Sequence, residues 1–231
     1  NQTNLYMEFI KKEAKEGVGI ITLNRSEVYN SFNIPMAKEV QSALDEFESD
    51  ETIRAIILTA EGKGFCAGQD LKEATEEGGP DIGTIVDTTY NPIITRLRSI
   101  EKPIIGAING VAAGAGANIA LACDITFASE KASFIQSFSS IGLIPDSGGT
   151  FFLPRLIGMQ RAAAHMFLAD KFSAEKAKEV PLEKLKSLAI WVISIGGILF
   201  TVVMGGIYFL LYGLLLRKLN ANYKELKRLE V

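Results

Sequence analysis

The sequence contains few residues of the kinds that form disulfides or bind transition metals. Of its 231 residues only two are cysteines, Cys66 and Cys123, and one is a histidine. The cysteines form no CxxC pair and have no histidine near them in the sequence. This pattern excludes a disulfide framework and indicates no zinc or other metal site. A reducing compartment fits such a chain best.

The chain also lacks an excess of positive charge. It carries 24 lysines and arginines against 27 aspartates and glutamates, which gives a formal net charge of −3. Binding to nucleic acid relies on a basic surface that neutralises phosphates, so nucleic acid is not expected as a partner. The hydrophobic content is 48%. At this length it is enough for one or two domains with a sizeable core.

The start of the sequence also shows no signal-peptide pattern. The N-terminus does not show the basic, apolar and small-residue order of such a leader, and the first residue is Asn1. We therefore expect Met7 to be the true start of the protein.

Composition changes abruptly near Pro181. Residues 187–216 include no charged side chain, whereas the chain before them is of mixed composition. About 20 apolar residues suffice to cross the hydrocarbon core of a bilayer. We predict a linker at residues 180–187, one transmembrane helix at 188–216 and a charged juxtamembrane helix at 217–231. The alternative is a buried helix of a soluble core.

Short β-type runs alternate with helical ones in the N-terminal part. Two runs around Gly17 form a predicted hairpin, and residues 35–48 have helical spacing. The continuous apolar runs at 53–59 and around Ile104 are typical of parallel strands buried on both faces. Further helices are predicted at 116–122 and 158–169. This alternation indicates an α/β fold.

An acidic, glycine-rich stretch at residues 73–83 has no periodicity. We predict a loop there. Long loops without secondary structure of their own are often functional, so this one is either a solvated linker or a cover over a substrate.

Two glycine-rich segments could leave backbone amides free to bind an anion. GKGFCAGQDL, residues 62–71, places small residues between a buried strand and a polar turn. NGVAAGAGANIAL, residues 109–121, leads into an apolar helix, whose N-terminus carries the positive end of the helix dipole. Together these amides could hold an oxyanion such as a thioester enolate. The alternative is that each segment is a tight turn or a close packing site for a helix.

A third segment contains a candidate base, Asp146. It lies between a proline and a Ser-Gly-Gly turn in an otherwise apolar neighbourhood. Burial would raise its proton affinity towards the range that suits proton transfer near neutral pH. Asp146 could instead cap the helix that follows, because aspartate before Gly-Gly-Thr is a good start signal. The two roles are not mutually exclusive.

Three motifs, in this order and spacing, resemble the enoyl-CoA hydratase/isomerase (crotonase) family: GKGFCAGQDL, KPIIGAINGVAAGAGANIALACDI and FSSIGLIPDSGGTFFLPRLIG. FCAGQDL and GLIPDSGGT are most similar to the isomerases of aerobic phenylacetate degradation, which convert ring-epoxidised phenylacetyl-CoA to its oxepin and also move double bonds in enoyl-CoAs. The resemblance implies a spiral of ββα repeats over residues 7–179, usually assembled as trimers. It implies no cofactor, since coenzyme A is part of the substrate.

The resemblance also implies roles for particular residues. Asp146 aligns with the isomerase carboxylate, and the amides of Gln69 and Ala115 align with the oxyanion hole. The path of the CoA ester would be lined by Val28, Ser31, Ala67, Gly68, Gln69, Asp70 and Leu71. The two glutamates that handle water in the hydratases are replaced here by Asn118 and Phe138. Efficient water addition is therefore not expected.

The similarity fades after residues 172–179, where family members continue with several helices that complete the acyl pocket, cover CoA and build the trimer. The domain is therefore expected to be C-terminally truncated. Two functions follow: an acyl-CoA isomerase acting through a thioester enolate, or an inactive membrane-anchored fragment or fusion that keeps only a binding module. Because CoA esters are cytoplasmic, the catalytic part is expected in the cytoplasm, anchored to the inner membrane by residues 188–216.

Overall fold

Two β-sheets and eight α-helices make up residues 7–76 and 78–178, which are the residues that the computed structural model describes. The strands are β1 Ile10–Lys15, β2 Val18–Leu23, β3 Ala55–Ala60, β4 Gly64–Cys66, β5 Ile104–Ile108, β6 Val111–Ala113, β7 Ile125–Ala128, β8 Ser133–Ile135 and β9 Phe172–Ser173. The helices are α1 Ile34–Ser49, α2 Leu71–Thr75, α3 Ile82–Ile85, α4 Asn91–Ser99, α5 Ala115–Ala122, α6 Gly149–Ile157, α7 Met159–Leu168 and α8 Ala174–Lys178.

The strands wind between the two sheets in a regular way. The larger sheet has the order β1-β2-β3-β5-β7 and the smaller sheet the order β4-β6-β8-β9. In each of the pairs β3–β4, β5–β6 and β7–β8 the first strand joins the larger sheet and the second joins the smaller one. A helix follows each pair. This is the predicted spiral of ββα repeats, which the structure confirms.

The predicted hairpin around Gly17 is confirmed. Strands β1 and β2 pair antiparallel with Lys15 opposite Val18, so the turn consists of two residues. Both of them, Glu16 at φ +53° and Gly17 at φ +81°, lie in the left-handed region. A two-residue turn of this kind has the twist that joins antiparallel strands, and glycine adopts it without strain.

Helix α1 confirms the prediction for residues 35–48 and begins one residue earlier. Asn33 caps it, because its side-chain oxygen accepts a hydrogen bond from the Met36 amide at 3.0 Å. Met36, Val40 and Leu44 recur on one face and are buried. Burial of this apolar stripe against the larger sheet fixes the helix.

Strands β3 and β5 are parallel neighbours, as predicted, but the predicted burial on both faces was wrong for both strands. Ile56 and Leu58 are buried, whereas Ile57 and Thr59 are partly exposed, and β5 alternates in the same way. The alternation shows that β3 is fully covered on one face only.

The prediction of a loop over residues 73–83 was wrong at both ends. Helix α2 extends to Thr75 and helix α3 begins at Ile82. Asp70 caps α2 by accepting from the Lys72 amide, and Asp81 caps α3 by accepting from the Thr84 amide, both at 3.1 Å. Carboxylate caps of this kind stabilise the first turn of such short helices.

The predicted linker at 180–187, transmembrane helix at 188–216 and charged helix at 217–231 all lie outside the described residues, so they stay predictions. Within residues 7–76 and 78–178 no helix has both the length and the apolar character to cross a membrane.

Candidate active site

A cavity of about 720 Å³ brings the candidate residues together. All nine that the sequence nominated line it: Val28, Ser31, Ala67, Gly68, Gln69, Asp70, Leu71, Ala115 and Asp146. Their roles stay predictions, since a shared cavity shows only that they are neighbours. The cavity wall is mostly apolar, and Ile82, Ile85, Val86 and Phe138 contribute to it.

Backbone pairing orients the peptide between Gly68 and Gln69. Its carbonyl oxygen accepts from the Phe32 amide at 2.7 Å, and the next amide, that of Asp70, donates to the Phe32 carbonyl at 2.8 Å. In a planar trans peptide the N–H points opposite to the C=O. The Gln69 N–H therefore points away from Phe32.

The two predicted anion-binding amides are both free of protein acceptors. Among the described residues neither the Gln69 amide nor the Ala115 amide donates a hydrogen bond. Ala115 is the first residue of α5, where a helix always leaves its amides unpaired and where the dipole favours negative charge. These two donors on one cavity wall form an arrangement that can hold an oxyanion.

Glycine at position 68 lets the two amide-bearing segments approach each other. Gly68 has φ +89°, and a Cβ on it would lie 3.1 Å from the Ala113 carbonyl oxygen and 3.6 Å from the Ala115 nitrogen. The neighbouring Gly116 is a close packing site, because a Cβ there would lie 2.7 Å from Cys66 Cβ and Sγ. Gly68 therefore forms a tight turn, and Gly116 is a close packing site for helix α5.

Asp70 is engaged within the protein. Its carboxylate pairs with Arg25 Nη2 at 2.9 Å, and both side chains are only 14% exposed. The other nitrogen of the guanidinium, Nη1, donates to the Ser31 carbonyl at 2.7 Å. Arg25 thereby links the two segments predicted to line the CoA path, residues 28–31 and 67–71. The pair ties these segments together, and the guanidinium charge compensates that of the Asp70 carboxylate.

Asp146 does not cap helix α6, so the capping alternative was wrong. The chain enters the left-handed region at Ser147, φ +49°, and again at Gly148, φ +72°, and Gly148 is the N-cap residue. The Asp146 side chain instead stays at the cavity, where it accepts from Ser147 Oγ at 2.8 Å. Burial raises the pKa of Asp146, and the Ser147 hydrogen bond opposes that rise.

Asn118 and Phe138 are the two residues that the resemblance aligns with the glutamates of the hydratases. The fully buried Asn118 donates from Nδ2 to the Asp146 carbonyl at 2.9 Å and accepts from Gln136 Nε2 at 2.8 Å. Both ends of this amide are therefore occupied in holding the Asp146 turn. The Phe138 ring lines the cavity. Neither side chain can act as a general base on water.

Tyr90, which lines the cavity, and Glu73, which does not, both bond the Gln69 side chain and were missed from the sequence. The Tyr90 hydroxyl donates to Gln69 Oε1 at 2.9 Å, and Gln69 Nε2 donates to Glu73 Oε2 at 3.0 Å. The apolar spacing of Ile82, Ile85 and Val86 is helical and would have indicated that this region faces a core or cavity. Nothing in the sequence pointed to the hydrogen bonds themselves.

Cys66 lies beneath the amide-bearing segments and is fully buried. Burial raises the pKa of its thiol to about 12, so it is neutral and a poor nucleophile. Within the described residues no group of three or more His, Cys, Asp or Glu side chains lies close enough to hold a metal ion.

Comparison with known proteins gives two family matches. The enoyl-CoA hydratase/isomerase model matches residues 13–184. A second model, a domain of unknown function, matches residues 150–231 and so covers the tail in which the sequence alone suggested no family.

Individual relatives agree with the first match. The chain is 48% identical over 176 residues to the 1,2-epoxyphenylacetyl-CoA isomerase of Escherichia coli, covering 75% of this chain and 67% of that protein. It is 38% identical over 174 residues to the short-chain-enoyl-CoA hydratase of Clostridium acetobutylicum, covering 75% and 66%.

A solved structure from Mycobacterium abscessus, an enoyl-CoA hydratase/isomerase, superposes with a TM-score of 0.69 at 38% identity, covering 73% of this chain and 66% of that one. The chain thus spans about two thirds of the length of the relatives it matches.

Proposed function

The chain belongs to the enoyl-CoA hydratase/isomerase family, and we propose that it isomerises acyl-CoA thioesters through an enolate, with Asp146 as the base. One observation carries the proposal. Two carboxylates line the cavity, Asp70 and Asp146, and among the described residues Asp146 is the one without a cationic partner. It is free to take up and release a proton.

The proposed reaction needs one base and one oxyanion site. The Asp146 carboxylate takes a proton from the carbon next to the thioester carbonyl. The electron pair left behind forms a carbon–carbon double bond, and the carbonyl oxygen becomes negative. The Gln69 and Ala115 amides would bind that oxygen. The protonated Asp146 then returns the proton two carbons further along, so a 3-enoyl ester becomes a 2-enoyl ester with no change in composition.

The second substrate in the proposal is a ring-epoxidised phenylacetyl-CoA, supported by the name of the relative from Escherichia coli. Loss of the same proton would push electrons towards the ring and assist opening of the epoxide and expansion to the oxepin. The apolar wall formed by Ile82, Ile85 and Phe138 suits an aromatic or aliphatic acyl group.

The proposal is tested by incubating the full chain with a 3-enoyl-CoA and following the rise in absorbance of the conjugated 2-enoyl thioester. Calorimetry with the same ester measures binding separately. A steady rise that depends on the protein supports the proposal. Tight binding without any rise over hours would contradict it.

Hydration of crotonyl-CoA by this chain is expected to be negligible. Asn118 is occupied at both ends by hydrogen bonds and Phe138 has no polar group, so neither position supplies a carboxylate to activate water. The measurement is the loss of enoyl absorbance on incubation with crotonyl-CoA. Rapid, protein-dependent loss would show that this assignment of the two positions is wrong.

Replacing Ser147 with alanine should move the acidic limb of the kcat/KM profile to higher pH. The carboxylate form of Asp146 is the active base, and the Ser147 hydroxyl stabilises that charged form, so its loss raises the pKa further. The pH dependence of isomerisation measures the effect. Ser49→Ala, at the exposed end of α1, is the matched control and should leave the profile in place. An unmoved or acid-shifted limb in Ser147→Ala would contradict the role of Asp146.

The trimer, the membrane span, the cytoplasmic location and the lack of a cofactor remain predictions.

A further inference from the structure

A π-helical turn, Val86–Tyr90, interrupts the helical segment between α3 and α4. The Asn91 amide donates to the Val86 carbonyl, five residues back, instead of four as in an α-helix. Such turns are rare and occur mostly as single insertions, often at functional sites. This one ends at Tyr90, which lines the cavity.

The turn is held from outside by one side chain of α1. Pro92 has no N–H, so it cannot donate to the Thr88 carbonyl four residues earlier. Gln41 Nε2 donates instead to the carbonyls of Thr88 and Thr89, at 3.0 and 3.1 Å. The Thr88 carbonyl, which Pro92 leaves without a helical donor, is thereby hydrogen-bonded.

Tyr90 connects this turn to Gln69 and Phe32. Its ring is buried and lies 5.9 Å from that of Phe32. Its hydroxyl bonds one end of the Gln69 side-chain amide, and Glu73 bonds the other end. Glu73 also accepts from the Ile34 amide at 3.1 Å. The Gln69 side chain is therefore fixed at both ends within the wall of the cavity.

The Tyr90 hydroxyl is a permanent donor. Burial raises its pKa well above the ordinary value, with a further rise from nearby acidic groups including Asp146. It therefore keeps its proton across the working range and takes no part in proton transfer.

We propose that the π-helical turn, through Tyr90, positions the Gln69 amide as an oxyanion donor, and that Gln41 maintains the turn. Gly68, at φ +89°, gives the adjoining peptide little stiffness of its own. Backbone pairing with Phe32 holds that peptide from one side, and the Gln69 side chain, bonded at both ends, adds a second restraint on the residue that carries the N–H. Tyr90 and Gln41 are thus positioning residues. This inference rests on the proposed function of the same cavity.

Carbonyl infrared spectroscopy tests the inference without requiring turnover. The probe is phenylacetyl-CoA labelled with ¹³C at the thioester carbonyl, whose stretching band moves to lower wavenumber when amides donate to the oxygen. The full chain should show the shifted band, and Tyr90→Phe a clearly smaller shift. Where turnover is measurable, Tyr90→Phe should lower kcat about tenfold, the order of one hydrogen bond, with KM unchanged.

Two further variants separate positioning from mere stability. Thr88→Val removes a hydroxyl from the same turn on its exposed side and should keep the full shift. Gln41→Leu, outside the cavity wall, should reduce the shift as Tyr90→Phe does. A loss of folded protein would weaken the bound signal without moving the band.

The outcomes distinguish this inference from the proposed function. If the parent chain binds the probe without any band shift, no oxyanion hole operates and the proposed function fails. If the parent shows the shift and Tyr90→Phe or Gln41→Leu keeps it in full, the positioning role is overturned while the proposed function stands.

Discussion

Replacing Asp146 with asparagine is expected to lower kcat for 3-enoyl-CoA isomerisation by about 10²- to 10⁴-fold, the usual worth of a positioned general base. Asparagine has nearly the same shape and can still accept from Ser147 Oγ, so the turn should keep its structure. It cannot take up a proton. The amide donors are untouched, so the dissociation constant of the acyl-CoA should stay within about twofold of the parent's, because no binding hydrogen bond is lost.

The measurement pairs turnover with calorimetric binding of the same ester. Asp50→Asn, the same chemical change at an exposed site outside the cavity, is the matched control and should behave like the parent. Turnover close to the parent's in Asp146→Asn, with normal binding, would remove Asp146 from the mechanism.

Proline at position 115 is expected to lower kcat/KM by about 10²- to 10³-fold, the loss measured when one oxyanion donor is removed from related acyl-transfer sites. Ala115 is the first residue of α5, where proline is tolerated because that amide has no helical partner. The bond from the Asn118 amide to the Gly114 carbonyl, which starts the helix, is kept. The change therefore removes the one N–H at issue.

A second proline variant controls for helix effects. Met159 is the first residue of α7, is 71% exposed and lies outside the cavity wall, so Met159→Pro should leave kinetics unchanged. Thermal unfolding of both variants checks that each is folded. Parent-like kcat/KM in a folded Ala115→Pro chain would show that this amide does not serve the reaction.

Local sequence signals sufficed for much of the fold. The hairpin at Gly17 depends on its turn residues, helix α1 on its cap residue, and strands β3 and β5 on their apolar runs. Each of these signals lies within a short stretch of sequence. The roles of the nine nominated site residues came from the resemblance to the enoyl-CoA hydratase/isomerase family, and the structure places all nine around one cavity. The turn residues, the helix cap and the apolar runs can be recognised without knowledge of the tertiary structure.

The wrong and missing predictions have tertiary or conformational causes. Helix α6 starts after Gly148 and not after Asp146, because two successive left-handed residues intervene, and the sequence gives no sign of such a conformation at Ser147. The bond between Tyr90 and Gln69 joins residues 21 positions apart. The π-helical turn accepts hydrogen bonds from Gln41 of another helix. Contacts of this kind become visible only when the elements are assembled.

The most direct test of the enolate is exchange of the protons next to the thioester carbonyl. Phenylacetyl-CoA can lose and regain such a proton but has no double bond to move, so incubation in D₂O isolates the first step. Proton NMR follows the loss of the α-CH₂ signal with the parent chain and with Asp146→Asn. Exchange that is fast with the parent and falls to the buffer rate with the variant is the predicted result. Exchange at the buffer rate with a parent chain that binds the ester, or equal exchange with both proteins, would contradict the account.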